Sequence, residues 1–380
     1  MEHLTEYRLE ELLEYEQPTA YIVSSTDYSD NYKTPVLTAG KSFILGYTNE
    51  TADIFDRLPV IIFDDFTTAI QYVNFPFKVK SSAMKILHVN KDLVHPKYIF
   101  YRMQVIQFDH STHKRYWIQQ YSKIKVKLPP LPEQERIVAR IEELFSELDK
   151  AVETLNTTKQ QLAVYRQAVI STSFPEFTSS NSVRLDEIAE ISGGITKGRD
   201  LSQQKTITLP YLRVANVQNG YLDLSQMKDI EVKLNEVDKY LLQEGDVLYT
   251  EGGDRDKLGR GTVWKNEIPR CVHQNHVFKA RLNQERALPQ YVAYWSMSVY
   301  ARDYFFKKGK QSVNLASINK TVLSALILPI PSLEKQASII NNIESRLSVC
   351  DQIEKTIEQS LQQAEALRQS ILKQAFEGRL

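Results

Sequence analysis

The chain has 380 residues, with 47 Lys/Arg against 47 Asp/Glu, a formal net charge of zero and 42% hydrophobic residues. That length is too great for one ordinary domain, and the apolar content suffices for sizeable cores, which excludes a wholly disordered chain. Cys271 and Cys350 stand far apart with no Cys-x-x-Cys, which excludes a disulfide framework and a zinc ribbon; no run approaches the roughly 20 apolar residues of a membrane span, and residues 1–6 lack the apolar stretch of a signal peptide, so a cytoplasmic chain without membrane contact is expected.

The first head, residues 1–127, divides its charge. Residues 1–77 hold 4 Lys/Arg against 13 Asp/Glu, and residues 78–127 hold 11 against 2. Nucleic-acid binding follows local rather than total charge, so a basic face is expected here. An internally compensated domain is the alternative. Candidate DNA contacts are Lys78, Lys80, Ser82 and Lys85, then Lys114, Arg115 and Tyr116, residue types that serve phosphates and base edges. His110 and His113 have metal-ligand spacing without a convincing fourth ligand. Gly40-Lys41-Ser42 matches only the end of a phosphate loop, with Pro35 where the earlier glycine should stand.

Leu128-Pro129-Pro130-Leu131 opens the next segment, 128–176, which has no Pro or Gly between 133 and 174. Proline suits a helix entry and not its interior. Ile141, Leu148, Leu155, Leu162 and Val169 fall seven apart, with Leu144, Ala151 and Tyr165 as companion core positions. This is the stripe of a coiled-coil helix.

The second head, 177–327, has strand patterns at 211–217, 246–250, 261–264 and 277–282, with turns at Gly193-Gly194, Asn219-Gly220 and Gly252-Gly253. Candidate DNA contacts are Arg255, Lys257 and Arg260; Gln274, Asn275 and Lys279; and Lys307, Lys308, Lys310, Gln311 and Asn314. Two of Tyr304, Phe305 and Phe306 are expected in the core. His273 and His276, near Cys271, read as hydrogen-bonding surface histidines rather than a metal site. Glu231-Val232-Lys233 has the Glu-x-Lys spacing of some nucleases, but its supporting Asp229 is badly placed and strand alternation accounts for it.

The last segment, 328–380, is a second helix with Ile343, Cys350, Ile357, Ala364 and Ile371 seven apart and Ile353 and Leu367 as companions; Cys350 reads as a small core filler. It repeats the first at an offset of 202: Leu128/Ile330, Gln134/Gln336, Ile137/Ile339, Asp149/Asp351, Arg166/Arg368 and Phe174/Phe376. The heads repeat more faintly. Leu9 matches Leu185, Val60–Phe63 matches 246–249, and Pro96, Tyr98 and Tyr101 match Pro289, Tyr291 and Tyr294 at 193. Lys85 and Lys279, like Ser82 and His276, match at 194, which predicts a shared binding edge. Two equal stripes in one chain predict mutual burial, antiparallel, with the heads at opposite ends. Forty residues of helix span about 60 Å, close to seventeen base pairs. Thr158, Arg346 and Ser360 are imperfect core positions that leave room for partner helices.

Several runs together carry a resemblance: Gly194-Ile195-Thr196, the run Tyr211-Leu212-Arg213-Val214-Ala215-Asn216-Val217, Gly245-Asp246-Val247-Leu248, Phe63-Asp64-Asp65-Phe66, and the join Leu128-Pro129-Pro130-Leu131-Pro132-Glu133-Gln134. In their order, and with the helical repeat, the sequence resembles the specificity subunit of type I restriction-modification systems over essentially its whole length. The second join departs from the pattern, with Glu334-Lys335-Gln336 in place of Pro-Glu-Gln. The resemblance implies an α+β chain: two globular α/β target recognition domains separated by two long helices forming an antiparallel coiled coil. It implies double-stranded DNA as ligand, each head reading half of a bipartite asymmetric site. Implied partners are two modification (methyltransferase) subunits using S-adenosylmethionine and two restriction subunits using ATP and Mg²⁺, with no cofactor, metal or catalytic residue in this chain. The residues agree in part: neither a Gly-rich cofactor loop nor an Asn/Asp-Pro-Pro-aromatic methyltransferase motif is found. An enzyme in its own right and a coiled-coil scaffold whose heads bind protein are the competing readings.

Overall fold

The computed structural model describes residues 4–38, 42–108, 116–174, 181–253, 258–311 and 316–380, with Gln311 by its backbone alone. The chain forms two units, Met1–Leu155 with Glu358–Leu380, and Asn156–Ile357.

The head of the first unit is built on β1 (Thr5–Arg8), β2 (Leu13–Glu16), β3 (Thr34–Leu37), β4 (Ile44–Thr48), β5 (Val60–Asp64), β6 (Ile70–Val73), β7 (Lys78–Val79), β8 (Met84–Val89) and β9 (Lys125–Leu128), with helix α1 (Pro96–Gln104). The main sheet is antiparallel in the order β2-β8-β5-β6; a second runs β4-β3-β7, and β1 pairs with β9. Every residue of β5 is buried, as a strand covered on both faces requires. Its side chains alternate with period two. Ile61 and Phe63 join Tyr98 and Ile99 of α1 in one cluster, while Val60 and Ile62 join Leu37 and Phe77 in another. The first long helix, α2 (Leu131–Thr172), follows.

The second head has β10 (Ser182–Arg184), β11 (Ala189–Ser192), β12 (Thr206–Leu212), β13 (Lys228–Lys233), β14 (Val247–Thr250), β15 (Gly252–Gly253), β16 (Gly261–Val263), β17 (Val272–His273), β18 (Val277–Leu282), β19 (Lys310–Gln311), β20 (Ala316–Ser317) and β21 (Ile327–Pro329). Helices α3 (Pro289–Met297) and α4 (Val299–Lys308) lie between β18 and β19. Its sheets run β11-β18-β14-β16, β13-β12-β17 and β10-β21, the order of the first head strand for strand, plus a small sheet β15-β20-β19. Registers and faces fix the correspondence. Ile61 pairs with Leu87 and Leu13 with Val89; Val247 pairs with Ala280 and Ala189 with Leu282. The offset therefore grows along the chain from 176 at β2 to 186 at β5 and 193 at β8, reaching 202 at β9. The second head's extra residues lie in its connections.

The second long helix, α5 (Leu333–Phe376), pairs antiparallel with α2 in each unit. In the first unit Ile141 and Phe145 pack on Ile371, Leu372 and Ala375, and Asp149 pairs with Arg368. In the second, Arg166 pairs with Asp351 at 2.7 Å and Glu354 at 2.9 Å, and Ile170 clusters with Ile339 and Ile343. The stripe residues Ile141, Leu162, Val169, Ile343, Cys350, Ile357, Ala364 and Ile371 are buried. Of the companion positions Leu144 packs against this seam as expected, and the others differ. Ala151 is exposed, Tyr165 and Leu367 are each 50% exposed, and Ile353 is 40% exposed. A pair of helices covers one seam; a second stripe stays in water unless further helices arrive. Among the described residues no helix is long and apolar enough to cross a membrane.

One buried glutamine joins each head to the helix after it. Gln134 Oε1 accepts from the His95 amide at 2.8 Å, and its Nε2 donates to the Pro129 carbonyl at 2.9 Å. Gln336 Oε1 accepts from Leu288 N at 2.8 Å, and its Nε2 donates to the carbonyls of Pro331 at 2.8 Å and Arg286 at 3.0 Å. His95 and Leu288 directly precede the prolines that open α1 and α3, so each glutamine satisfies an amide at a helix entry. Gln336→Leu keeps the volume but removes the partner of three partly buried backbone groups. It is expected to destabilise the second unit by about 2 kcal/mol or more, read as a lowered denaturant midpoint; an unchanged midpoint would contradict the clamp.

Candidate nucleic-acid interface

In both heads three segments converge on one acidic residue just past β5 or β14. In the first head Asp65 N donates to the Ala83 carbonyl at 3.5 Å, and the Asp65 carbonyl accepts from Tyr116 N at 3.0 Å. In the second, Glu251 N donates to the His276 carbonyl at 2.9 Å, and the Glu251 carbonyl accepts from Ile318 N at 2.8 Å. The pairs Asp65/Glu251, Ala83/His276 and Tyr116/Ile318 stand 186, 193 and 202 apart, the offsets of β5, β8 and β9. The convergence is therefore the same point of the same fold. The carboxylates are held by different partners. Asp65 Oδ1 accepts from Trp117 N at 2.8 Å and Oδ2 lies 3.6 Å from Lys85 Nζ. Glu251 Oε2 lies 2.6 Å from His276 Nδ1, and because a carboxylate only accepts, that ring nitrogen carries the proton.

This junction gathers most of the candidate segments. In the second head β15 pairs with β20 and β20 with β19, which brings Gly252–Gly253 beside Ala316–Ser317 and Lys310. Thr250 N bonds the Arg260 carbonyl at 2.9 Å, closing a nine-residue loop; the matching bond in the first head, Asp64 N to Ala69 O at 2.8 Å, closes only four. Lys80, Lys307, Lys308 and Lys310 are exposed, and Ser82, Arg260, Gln274 and Asn275 are half-buried. Arg260 Nη1 donates to Gln218 at 3.3 Å, and Lys307 pairs with Asp303 one helical turn away at 2.7 Å. Phe305 is buried, Tyr304 donates its hydroxyl to the Val322 carbonyl, and Phe306 is exposed, which leaves two of the three aromatics in the core. Lys114, Arg115, Arg255, Lys257 and Asn314, with His110 and His113, lie outside the described residues, as does the side chain of Gln311.

Four candidates are corrected by their burial. Lys78, Lys85, Lys279 and Tyr116 are buried. A buried ammonium needs partners at once, and each lysine has them. Lys78 Nζ donates to the Ala52 carbonyl at 2.8 Å and pairs with Glu50 at 3.1 Å. Lys279 Nζ donates to the carbonyls of Lys239 and Leu241 at 3.2 and 3.1 Å, and burial pushes its pKa below the ordinary lysine value. Tyr116 packs edge-on against Phe108 at 5.0 Å. The expected match of Lys85 with Lys279 also slips by one residue. At the strand offset of 193, Lys85 stands where Phe278 does and Lys279 where Ile86 does, and a one-residue shift puts side chains on opposite faces. Ser82 likewise matches Asn275 rather than His276.

The charge division of the first head closes on itself. Its basic half meets its acidic half in Lys125–Glu6, Lys123–Glu10, Lys78–Glu50 and Lys85–Asp65. Four lysines of the basic half are thus compensated within the head. His276 is exposed as expected, but His273 is buried rather than on the surface, with Nδ1 2.6 Å from the Val277 carbonyl; burial lowers its pKa to about 4, so it is neutral and structural. Burial also pushes the Cys271 thiol up to about 12, away from any thiolate role. Among the described residues no cluster of His, Cys, Asp or Glu could hold a metal.

A family model described as the type I restriction modification DNA specificity domain matches residues 1–162 and 179–363. This chain belongs to the type I restriction-modification specificity family. The specificity subunit of the Escherichia coli type I restriction enzyme EcoR124I/EcoR124II is 32% identical over 352 residues, covering 88% of this chain and 85% of that one. The specificity subunit of EcoKI from Escherichia coli K12 is 25% identical over 275 residues, 68% of this chain and 58% of its own. Among solved structures, a chain from work on assembly and conformational transition of the type I restriction-modification system superposes with a TM-score of 0.70 at 17% identity, covering 100% and 99% of the two chains. The HsdS subunit from Thermoanaerobacter tengcongensis gives 0.52 at 16%, covering 100% and 98%. At those identities the structural likeness concerns the fold.

The family's motifs are architectural in this specificity chain. A Cβ on Gly194 would sit 1.9 Å from the His273 carbonyl oxygen, so only glycine fits there. Asn216 Oδ1 accepts from Arg213 N at 3.0 Å, and its Nδ2 donates to the Asp223 carbonyl at 2.8 Å. Asp246 takes Arg281 in a two-bond fork, both contacts 2.8 Å. Lys279→Met removes the side-chain donor from the Lys239 carbonyl and leaves the Leu241 carbonyl to Arg281 alone; it is expected to lower the thermal midpoint by several degrees, whereas Lys308→Met and Lys310→Met, on the surface, shift it by about a degree or less. Equal shifts in a thermal melt would contradict the division into structural and surface lysines.

Proposed function

We propose that this chain is the DNA sequence-specificity subunit of a type I restriction-modification complex, reading a bipartite asymmetric site with one head per half-site. The observation that carries the reading is the doubled convergence on Asp65 and Glu251: one scaffold, two unlike sets of loops. Phosphate contacts position a reader and base contacts specify the sequence, so equal scaffolds with unequal loops suit two different half-sites. The surface lysines near the second junction, Lys307, Lys308 and Lys310, serve the phosphates in this reading, and the half-buried Gln274, Asn275 and Arg260 serve base edges.

The subunit is non-catalytic in this reading. S-adenosylmethionine is used by two modification subunits, and ATP with Mg²⁺ by two restriction subunits, all docked on this chain. Apolar side chains left in water along the long helices support the docking. Val164, Tyr165, Val349 and Ile353 are exposed in the second unit and Leu367 in the first. Such patches are the seats of partner helices.

The internal charge pairing of the first head favours a second reading, in which the heads bind protein. The two separate in a head exchange. Replacing residues 1–127 by the corresponding head of a relative, and assembling the hybrid with modification subunits, is expected to change one half of the methylated sequence and leave the other. A hybrid that changes both halves, or wild-type assembly whose methylation has no sequence preference, would overturn the reading.

A further inference from the structure

We infer that Asp65 and Glu251 are positioning residues for base discrimination, each setting the geometry of one head's reading loops; the inference rests on the function proposed above. An anionic side chain at an edge offered to DNA repels phosphate, and base readout draws mainly on Arg, Lys, Asn and Gln, with Asp and Glu suited to the cytosine amino group alone. Both heads nonetheless carry a carboxylate at the same point, one Asp and one Glu. In both, the backbone of that residue ties the segment before β8 or β18 to the segment entered at Tyr116 or Ile318. Those are the segments that bear Ser82 in the first head and Gln274 and Asn275 in the second.

The side chains complete the tie in different ways. Asp65 is buried, and its two oxygens hold the Trp117 amide and the Lys85 ammonium. Its charge is enclosed and neutralised before DNA could meet it. Glu251 is partly exposed and holds His276 by Nδ1. That contact fixes the ring and its tautomer, and Asn275 Nδ2 lies 3.3 Å from the other ring nitrogen. Glu251, His276 and Asn275 thus form one hydrogen-bonded row beside the nine-residue loop. Base-reading groups must be held to within about half an ångström by side chains that are themselves locked, and this row locks Asn275. Neither carboxylate is called on to touch DNA. Each fixes the groups that do.

The test uses the full chain assembled with its modification subunits. Asp65→Asn, Asp65→Glu, Glu251→Gln and Glu251→Asp complexes methylate a DNA library randomised in both half-sites, and the modified molecules are sequenced. Glu251→Gln is expected to raise methylation of singly mismatched sites about tenfold relative to the cognate site in one half only. Asp65→Asn does the same in the other half. Glu251→Asp and Asp65→Glu, which keep the charge, restore part of the preference. Because Asp65 is buried, the partly exposed Glu251 series stands on its own if Asp65→Asn does not fold. Loss of methylation by the same factor on every sequence, with the preference unchanged, would reduce these residues to fold anchors and overturn the inference while the functional reading stands. Relaxation of both halves by either variant would also overturn it. A wild-type complex without sequence preference would overturn the functional reading and the inference together.

Discussion

Each long helix carries one apolar stripe that must leave water, and within this chain the partner of the right length and register is the other long helix. Antiparallel pairing satisfies both stripes and sets the charges. Asp149 and Asp351 are equivalent in the repeat, as are Arg166 and Arg368, and the pairing joins Arg166 to Asp351 and Arg368 to Asp149. The same pairing brings the end of one helix to the head that precedes the other. Phe376 packs edge-on against Tyr98 at 5.3 Å, and Phe174 against Tyr291 at 5.3 Å. Each head helix is thus held by a glutamine from the helix that follows it and a phenylalanine from the end of the other. Exposed ion pairs contribute little on their own; the stripe, the glutamines and the phenylalanines supply the stability, and the ion pairs set register.

The long helices were legible because a seven-residue spacing without Pro or Gly has one structural meaning. The antiparallel sense was legible because equal stripes in one chain invite it. The companion stripe was not, since periodicity marks a face as apolar without saying whether this chain covers it; Tyr165, Ile353 and Leu367 stand in water. In the heads, the pattern at 246–250 located one central strand, and the repeat match at 60–63 falls on its counterpart. The offset of 194 for Lys85 and Lys279 failed because a strand alternates at every residue and one slip reverses the face. Burial of Lys78, Lys85 and Lys279 was equally hidden, since a lysine beside carbonyl groups reads in sequence like one in solvent. The charge division of the first head was real, but antiparallel strands folded its halves onto each other through Lys125–Glu6 and Lys123–Glu10.

The site was legible as segments and not as a junction. Asp65 stood out only as part of the run Phe63-Asp64-Asp65-Phe66 and Glu251 not at all, because their role lies in backbone bonds to residues distant in sequence. What could have found them is the changing offset of the repeat. Once β5, β8 and β9 are aligned at 186, 193 and 202, the two acids fall together with their partners. The family's recognisable words, by contrast, build the scaffold: Gly194 allows a close backbone approach, Asn216 closes a turn and Asp246 grips Arg281. In the proposed function, specificity lies in what differs between the two heads, among it the four-residue and nine-residue closures and the segments beside them.

Two unlike heads on one repeated scaffold predict a target with two unlike halves. The most direct measurement is sequencing of methylated DNA from cells that express this chain with its modification subunits, against cells lacking only this chain. A two-headed reader gives methylation within a two-part asymmetric motif, the parts separated by an unread spacer of fixed length, and none without the chain. A single uninterrupted motif, or methylation indifferent to the chain, would contradict it.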